Sequence, residues 1–228
     1  MVVFSTTMDL KVVEIVPNDT NGASFKNFLT EDRTFLHLSY PGLDDGIEGY
    51  NNFFDWLDQS DHTYDTVKRL TIETDFIYSL PAGVSKFQNL AKLVVSGSRF
   101  WDFTCELVPT SVTHLDLTDH SNLQPKCIKG MDRLVNLCEL KLDWTPFGFN
   151  GLFFWEEIDV TEIHIPIPDH PSLASIWFRS GIYARFSDLR DDWQKIFFSL
   201  PLFDKIRHRI AQIDEYDDVG TGLHIVLA

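Results

Sequence analysis

Apolar residues recur along this chain at two different intervals. In Leu134 to Trp144, "LVNLCELKLDW", Leu134, Leu137 and Leu140 stand three apart, whereas Leu140 and Leu142 stand two apart. A three-residue step suits a helical turn and a two-residue step suits a half-buried strand, so the stretch reads as a turn-like approach running into a strand. The frame L-x-x-L-x-L set by Leu137, Leu140 and Leu142 recurs as Val67, Leu70 and Ile72, then Leu90, Leu93 and Val95. It returns as Val112, Leu115 and Leu117 and as Val160, Ile163 and Ile165. The frames start at 67, 90, 112, 137 and 160, an even spacing that marks an internal repeat. Upstream, Leu10, Val13 and Ile15 fit it, as do Leu36 and Leu38 with Arg33 in the first apolar slot.

Between Leu36 and Leu70 the interval widens. The extra residues, "GIEGYNNFFDWLDQSDH", put Phe53, Phe54, Trp56 and Leu57 on one stripe, which predicts an insertion helix at about 47–60 on the outer side. Downstream, "LASIWF" follows the frame at 160 by only 13 residues and reads as a truncated repeat. "SDLRDDWQKIFFSL" has Ser187 as a helix N-cap, Asp188 near the positive helix end, and Trp193, Ile196, Phe197 and Leu200 on one face. Pro201 suits the first position of a second helix, "PLFDKIRHRIAQI", in which Arg207 to Arg209 form a basic surface turn. "LHIVLA" after Gly220 and Gly222 reads as a closing strand.

The frame and its spacing resemble the leucine-rich-repeat family over roughly residues 10–178. The likeness is strongest from "SLPAGVSKFQNLAKLVV" through Leu142, where Leu80, Pro81, Val84, Phe87, Leu90, Leu93 and Val95 follow the family cadence. The family's Asn or Cys after the strand falls on Asp75, Ser98, His120, Thr145 and Pro168, a departure from the pattern. The resemblance implies an α/β solenoid: a horseshoe with a parallel β-sheet on its concave face, a short, irregular helical convex side and a helical cap. Residues 1–178 would form the solenoid, its first repeat doubling as the N-terminal cap, and residues 179–228 the C-terminal helical cap with its closing strand. Stacked repeats cover each other's apolar faces, so the whole is expected to be one structural unit.

Charge and cysteine content narrow the function. The formal charge is −15, from 19 Lys and Arg against 34 Asp and Glu, which disfavours nucleic acid and favours a protein partner with a basic or mixed-charge surface. Cys105, Cys127 and Cys138 form an odd set without C-x-x-C spacing, so neither a disulfide framework nor a zinc site is expected. The N-terminus lacks a signal-peptide pattern and no stretch reaches the apolar length of a membrane span, so the expected location is the cytoplasm, with no membrane partner.

Alternation places the residues between and beside the inward pair on the opposite face of each strand. The residues expected to meet a partner there are Arg69 and Thr71, Lys92 and Val94, His114 and Asp116, Glu139 and Lys141, and Glu162 and His164. His114, Asp116, Glu139, Glu162 and His164 are of metal-ligand and acid–base types, but two rungs of about 4.8 Å separate His114 from His164, too far to share one ion. The Asp-His pairs at 119–120 and 169–170 sit in turn-forming sequence, and no phosphate loop, nucleophile elbow or zinc-protease motif occurs. No catalytic residue, cofactor or metal is therefore expected. Among the 19 Phe and 6 Trp, most Phe fill the turns, whereas Trp101, Trp144 and Trp155 are candidate interface anchors at the rim. The expected function is non-enzymatic protein binding, with an adaptor, a substrate receptor or an acidic stoichiometric inhibitor as alternatives.

Overall fold

A computed structural model describes residues 26–29, 32–40, 64–74, 79–97, 103–118, 128–144, 167–180, 204–217 and 221–228. Among them, eleven strands occur. These are β1 (Lys26–Leu29), β2 (Phe35–Tyr40), β3 (Arg69–Thr74), β4 (Lys92–Ser96), β5 (Phe103–Thr104), β6 (His114–Leu117), β7 (Ile128–Lys129), β8 (Glu139–Trp144), β9 (Ser175–Ser180), β10 (Ile210–Asp217) and β11 (Thr221–Leu227). Nine of them form one sheet in the order β1-β2-β3-β4-β6-β8-β9-β11-β10. From β2 to β9 every pair is parallel; β1 closes one edge, and the β10–β11 hairpin the other, in antiparallel pairing. The only helical elements among the described residues are short 3-10 turns.

The three-residue step and the two-residue step have separate structural causes. Before β3, β4, β6, β8 and β9, the first residue of the frame donates its N–H to the carbonyl three residues back. These bonds join Val67 to Tyr64, Leu90 to Phe87, Val112 to Pro109, Leu137 to Leu134 and Leu173 to His170, at 2.9–3.1 Å. Such turns return every third side chain to the same side. Alternation then takes over in the strand. Leu70 and Ile72, Leu93 and Val95, Leu115 and Leu117, Leu140 and Leu142, and Ile176 and Phe178 are all buried. Each such side chain contributes about 1.5–3 kcal/mol by leaving water.

Register is held by a backbone device repeated at every step. One carbonyl at the start of each strand accepts two successive N–H groups from the next: Thr34 from Lys68 and Arg69, Lys68 from Ala91 and Lys92, and Ala91 from Thr113 and His114. Thr113 then accepts from Cys138 and Glu139, and Cys138 from Ala174 and Ser175. Side chains reinforce it from the position just before the frame. Asn89 Nδ2 donates to Asp65 O, Ser111 Oγ to Leu90 O, Asn136 Nδ2 to Thr110 O and Ser172 Oγ to Val135 O. This ladder lies before the strand, whereas the family pattern places its Asn after it.

Behind the sheet lie the turns Ala82–Lys86, Cys105–Leu107 and Met131–Arg133, with β5 paired to β7 in a small second sheet. Phe87, Phe103, Cys105, Val108, Met131 and Leu134 fill the layer between them and the large sheet, and Tyr64 stacks on Phe87 at 4.6 Å. Arg133 donates to the carbonyls of Cys105, Glu106 and Val108 and so ties its turn to the previous one. Gly130, at φ 73°, turns the chain between β7 and the next turn in a conformation that a side chain would strain.

Some expectations fall outside the described residues and others are corrected. The insertion helix at about 47–60, the cap helix starting at Ser187, the frame at 160 and the frame at 10 lie outside the described residues. The place next to β8 that the frame at 160 was expected to fill is taken by β9, with Leu140 opposite Ile176 and Leu142 opposite Phe178. "LASIWF" is thus a full parallel row. The helix expected from Pro201 through Ile213 is corrected: Arg207–Arg209 is a single 3-10 turn, and Ile210 opens β10. Its sequence carries Ile206, Ile210 and Ile213 at helical spacing, but pairing with β11 buries Leu223 and Ile225 against the sheet and closes the edge of β9. Arg209 is correspondingly not a surface residue. Only 13% of its side chain is exposed, and it grips the carbonyls of His170, Leu173 and Ala228. Arg33, expected in a first apolar slot, is exposed at φ 55°, so the approach to β2 lacks the buried residue of later repeats.

Candidate functional site

The inward side of each strand is used up by the core, so chemistry on the large sheet belongs to the opposite face. Register lines its side chains into rows that cross the strands. One row runs Phe35, Arg69, Lys92, His114, Glu139, Ser175, Val226 and Gln212; the next runs His37, Thr71, Val94, Asp116, Lys141, Trp177, His224 and Asp214. Neighbours within a row stand about 4.8 Å apart.

The sequence-expected residues divide accordingly. Arg69, Lys92, His114 and Glu139 are consecutive in the first row, and Thr71, Val94, Asp116 and Lys141 in the second. Glu162 and His164 lie outside the described residues, and the position they were expected to hold beside Glu139 and Lys141 belongs to Ser175 and Trp177 of β9. Trp101 and Trp155 also lie outside. Trp144 ends β8, and its side chain is not among those described.

Local contacts order the face. At the β2–β3 end, the Arg69 guanidinium lies 4.6 Å over the Phe35 ring, and His37 Nε2 stands 3.2 Å from Glu73 Oε2. In the middle, Asp116 Oδ1 accepts hydrogen bonds from Thr118 N–H at 3.2 Å and Thr118 Oγ1 at 2.7 Å. Thr113 Oγ1 lies 2.8 Å from His114 Nδ1. Toward the other end, Lys141 Nζ stands 3.7 Å from Glu139 Oε1 and 5.2 Å from the Trp177 ring centroid. On the far side of that ring His224 is stacked, with centroids 3.6 Å apart and planes 9° from parallel. Trp177 is therefore held between an ammonium group and an imidazole.

His224 is affected by all of these neighbours. Partial burial lowers its pKa below the usual histidine range; Asp214 and Glu139 oppose that shift, and Lys141 adds to it. Asp214 is itself held by Gln212, whose Nε2 is 2.9 Å from both carboxylate oxygens. Sequence reading missed His224 and Asp214 as members of the face. The available signal was the alternation of Leu223, Ile225 and Leu227 with His224 and Val226 in the closing strand, obscured by the helix-like spacing just upstream.

Among the described residues no group of three or more His, Cys, Asp or Glu side chains is placed to hold a metal ion. Cys105 is buried beneath the turns and its thiol pKa is pushed up to about 12, chiefly by desolvation, which suits packing rather than nucleophilic attack. No described helix is long and apolar enough to cross a membrane. What the face offers is a wide, ordered arrangement of charges around an aromatic stack. No protein-family model matches this chain, and no curated protein or solved structure shows significant similarity to it.

Proposed function

We propose that the chain is a leucine-rich-repeat solenoid and a non-enzymatic protein-binding module, whose exposed sheet face holds a protein partner with a basic or mixed-charge surface. Repetition of one backbone device, two N–H groups meeting the first carbonyl of the preceding strand, supports the solenoid reading. The observation that carries the binding reading is the unbroken second row from His37 to Asp214. There, alternating charges surround the Trp177–His224 stack on a rigid scaffold. Ordered aromatic side chains rimmed by charge lose little entropy on association and make good anchors.

Charge adds a second, narrower reading. At −15 the chain suits a stoichiometric inhibitor of a basic enzyme or toxin, which would bind one partner in equal amount and silence it. An adaptor or substrate receptor would instead copurify with at least two proteins. The test is affinity purification from native lysate beside a variant carrying Asp116→Ser, Lys141→Ser and Trp177→Ser, with circular dichroism confirming that the variant is folded. Selective loss of a stoichiometric partner supports the reading; a partner retained at full occupancy moves recognition away from this face.

A further inference from the structure

Two carboxylates of the second row, Asp116 and Asp214, have no ammonium or guanidinium group to pair with among the described residues. Lys141 is the register neighbour of Asp116, yet its ammonium goes to Glu139 and the Trp177 ring. Among the described residues, the side-chain hydrogen bonds of Asp116 come from Thr118 and those of Asp214 from Gln212. Neutral donors thus orient both carboxylates, and no described ammonium or guanidinium group pairs with either. Each is only partly buried, so a further group can reach it. Between them stand Lys141 and the stacked rings of Trp177 and His224, which offer a flat aromatic surface beside the ammonium group.

We propose that this face takes an extended protein segment with two cationic side chains about 19 Å apart, one meeting Asp116 and one Asp214, and an apolar side chain over the Trp177–His224 stack. The distance follows from four strand steps, β6 to β8, β9, β11 and β10. The inference rests on the binding reading above and specifies the partner's chemistry. Of the other cationic residues of the face, Arg69 is exposed and Lys92 partly buried, and both lie toward the β3–β4 half, away from Asp214. A second copy of the chain is a poor occupant, because two faces with these carboxylates on chains of charge −15 repel.

A rigid peptide measures the spacing directly. In acetyl-Arg-Pro-Pro-Leu-Pro-Pro-Arg-amide, six residue steps of a polyproline helix at about 3.1 Å each separate the two Arg by about 19 Å, with Leu midway. Its isomer, acetyl-Arg-Arg-Pro-Pro-Leu-Pro-Pro-amide, has the same composition with the charges adjacent. Both are titrated at low salt against the full chain, following the His224 imidazole and the β8, β9 and β11 amides by NMR. The spaced peptide is expected to bind more tightly, and Asp116→Asn or Asp214→Asn each to weaken it about three- to fivefold, the upper range for one exposed charge pair. Both variants are nearly isosteric, and their amide spectra report whether the fold is kept. Equal affinity of the two isomers, or indifference to both substitutions, overturns the paired-charge inference while leaving the face as a binding surface. If neither peptide moves these signals the inference also falls, and the lysate experiment decides the broader reading independently.

Discussion

Arg209→Met removes the guanidinium that fastens the β10–β11 hairpin, and with it His224 and Asp214, to the preceding loop, while keeping much of the apolar stem. In the native chain Nε donates to Ala228 O at 3.1 Å, Nη1 to His170 O at 2.7 Å and Nη2 to Leu173 O at 2.8 Å. Contacts of 3.4 Å to Pro171 O and Asp169 Oδ1 are weaker, and Asp169 is itself 42% exposed. A hydrogen bond from a charged donor contributes about 1.5 kcal/mol at the low end of its range, so three give about 4.5 kcal/mol. Freeing a long side chain returns up to about 2 kcal/mol of rotamer entropy. The net loss is therefore about 2–3 kcal/mol. With a urea slope of about 2.5 kcal/mol/M, the unfolding midpoint followed by Trp fluorescence should fall by about 1 M. Hydrogen exchange should quicken first in β10 and β11. A midpoint shift below about 0.2 M, or unchanged exchange in the hairpin, would refute the reasoning.

Three further outcomes follow from single side chains. His170 occupies the place that Phe87 and Leu134 hold in other turns, and its buried Nε2 has no hydrogen-bond partner among the described residues, so His170→Leu should stabilise the chain by about 1 kcal/mol in the same assay. A destabilisation would show that the ring is satisfied after all. Cys105, with its thiol pKa raised to about 12, should stay unalkylated by iodoacetamide at pH 8 until urea unfolds the protein; peptide mapping of modified native protein at Cys105 would contradict this. Because the pKa of His224 is lowered on folding, the unfolded chain binds more protons, so this group's contribution declines as pH falls from about 6.5 through its folded value. Stability should thus drop less steeply over that window in His224→Gln than in the native chain, and identical slopes would remove His224 as the source.

The repeat was legible in sequence because two physical signals agree. Side chains three apart before each strand and two apart within it leave one apolar series, such as Met131, Leu134, Leu137, Leu140 and Leu142, on the buried side. That series also places Arg69, Lys92, His114 and Glu139 beside one another, as the strand register does. The neighbour of β8 was not legible. Both "VTEIHI" and "LASIWF" satisfy the frame, and periodicity says nothing about which of two matching segments pairs with a given strand. The C-terminal edge was hidden for a different reason. Ile206, Ile210 and Ile213 fit a helical stripe, and only pairing with a strand that the chain supplies later, Thr221–Leu227, makes the extended form the better one. Long-range pairing overrode a local pattern there, and two members of the candidate face went with it.

The central claim is that the partner lies across the exposed sheet face, and site-specific photocrosslinking tests it most directly. A benzophenone side chain is placed at Val94, in the middle of the face, or at Val135, which is 54% exposed in the turn before β8, and each protein is irradiated in native lysate. The account predicts one adduct that forms from Val94, is absent from Val135 and disappears when Asp116, Lys141 and Trp177 are changed to Ser. An adduct from Val135 alone, or a Val94 adduct that survives those substitutions, would contradict it.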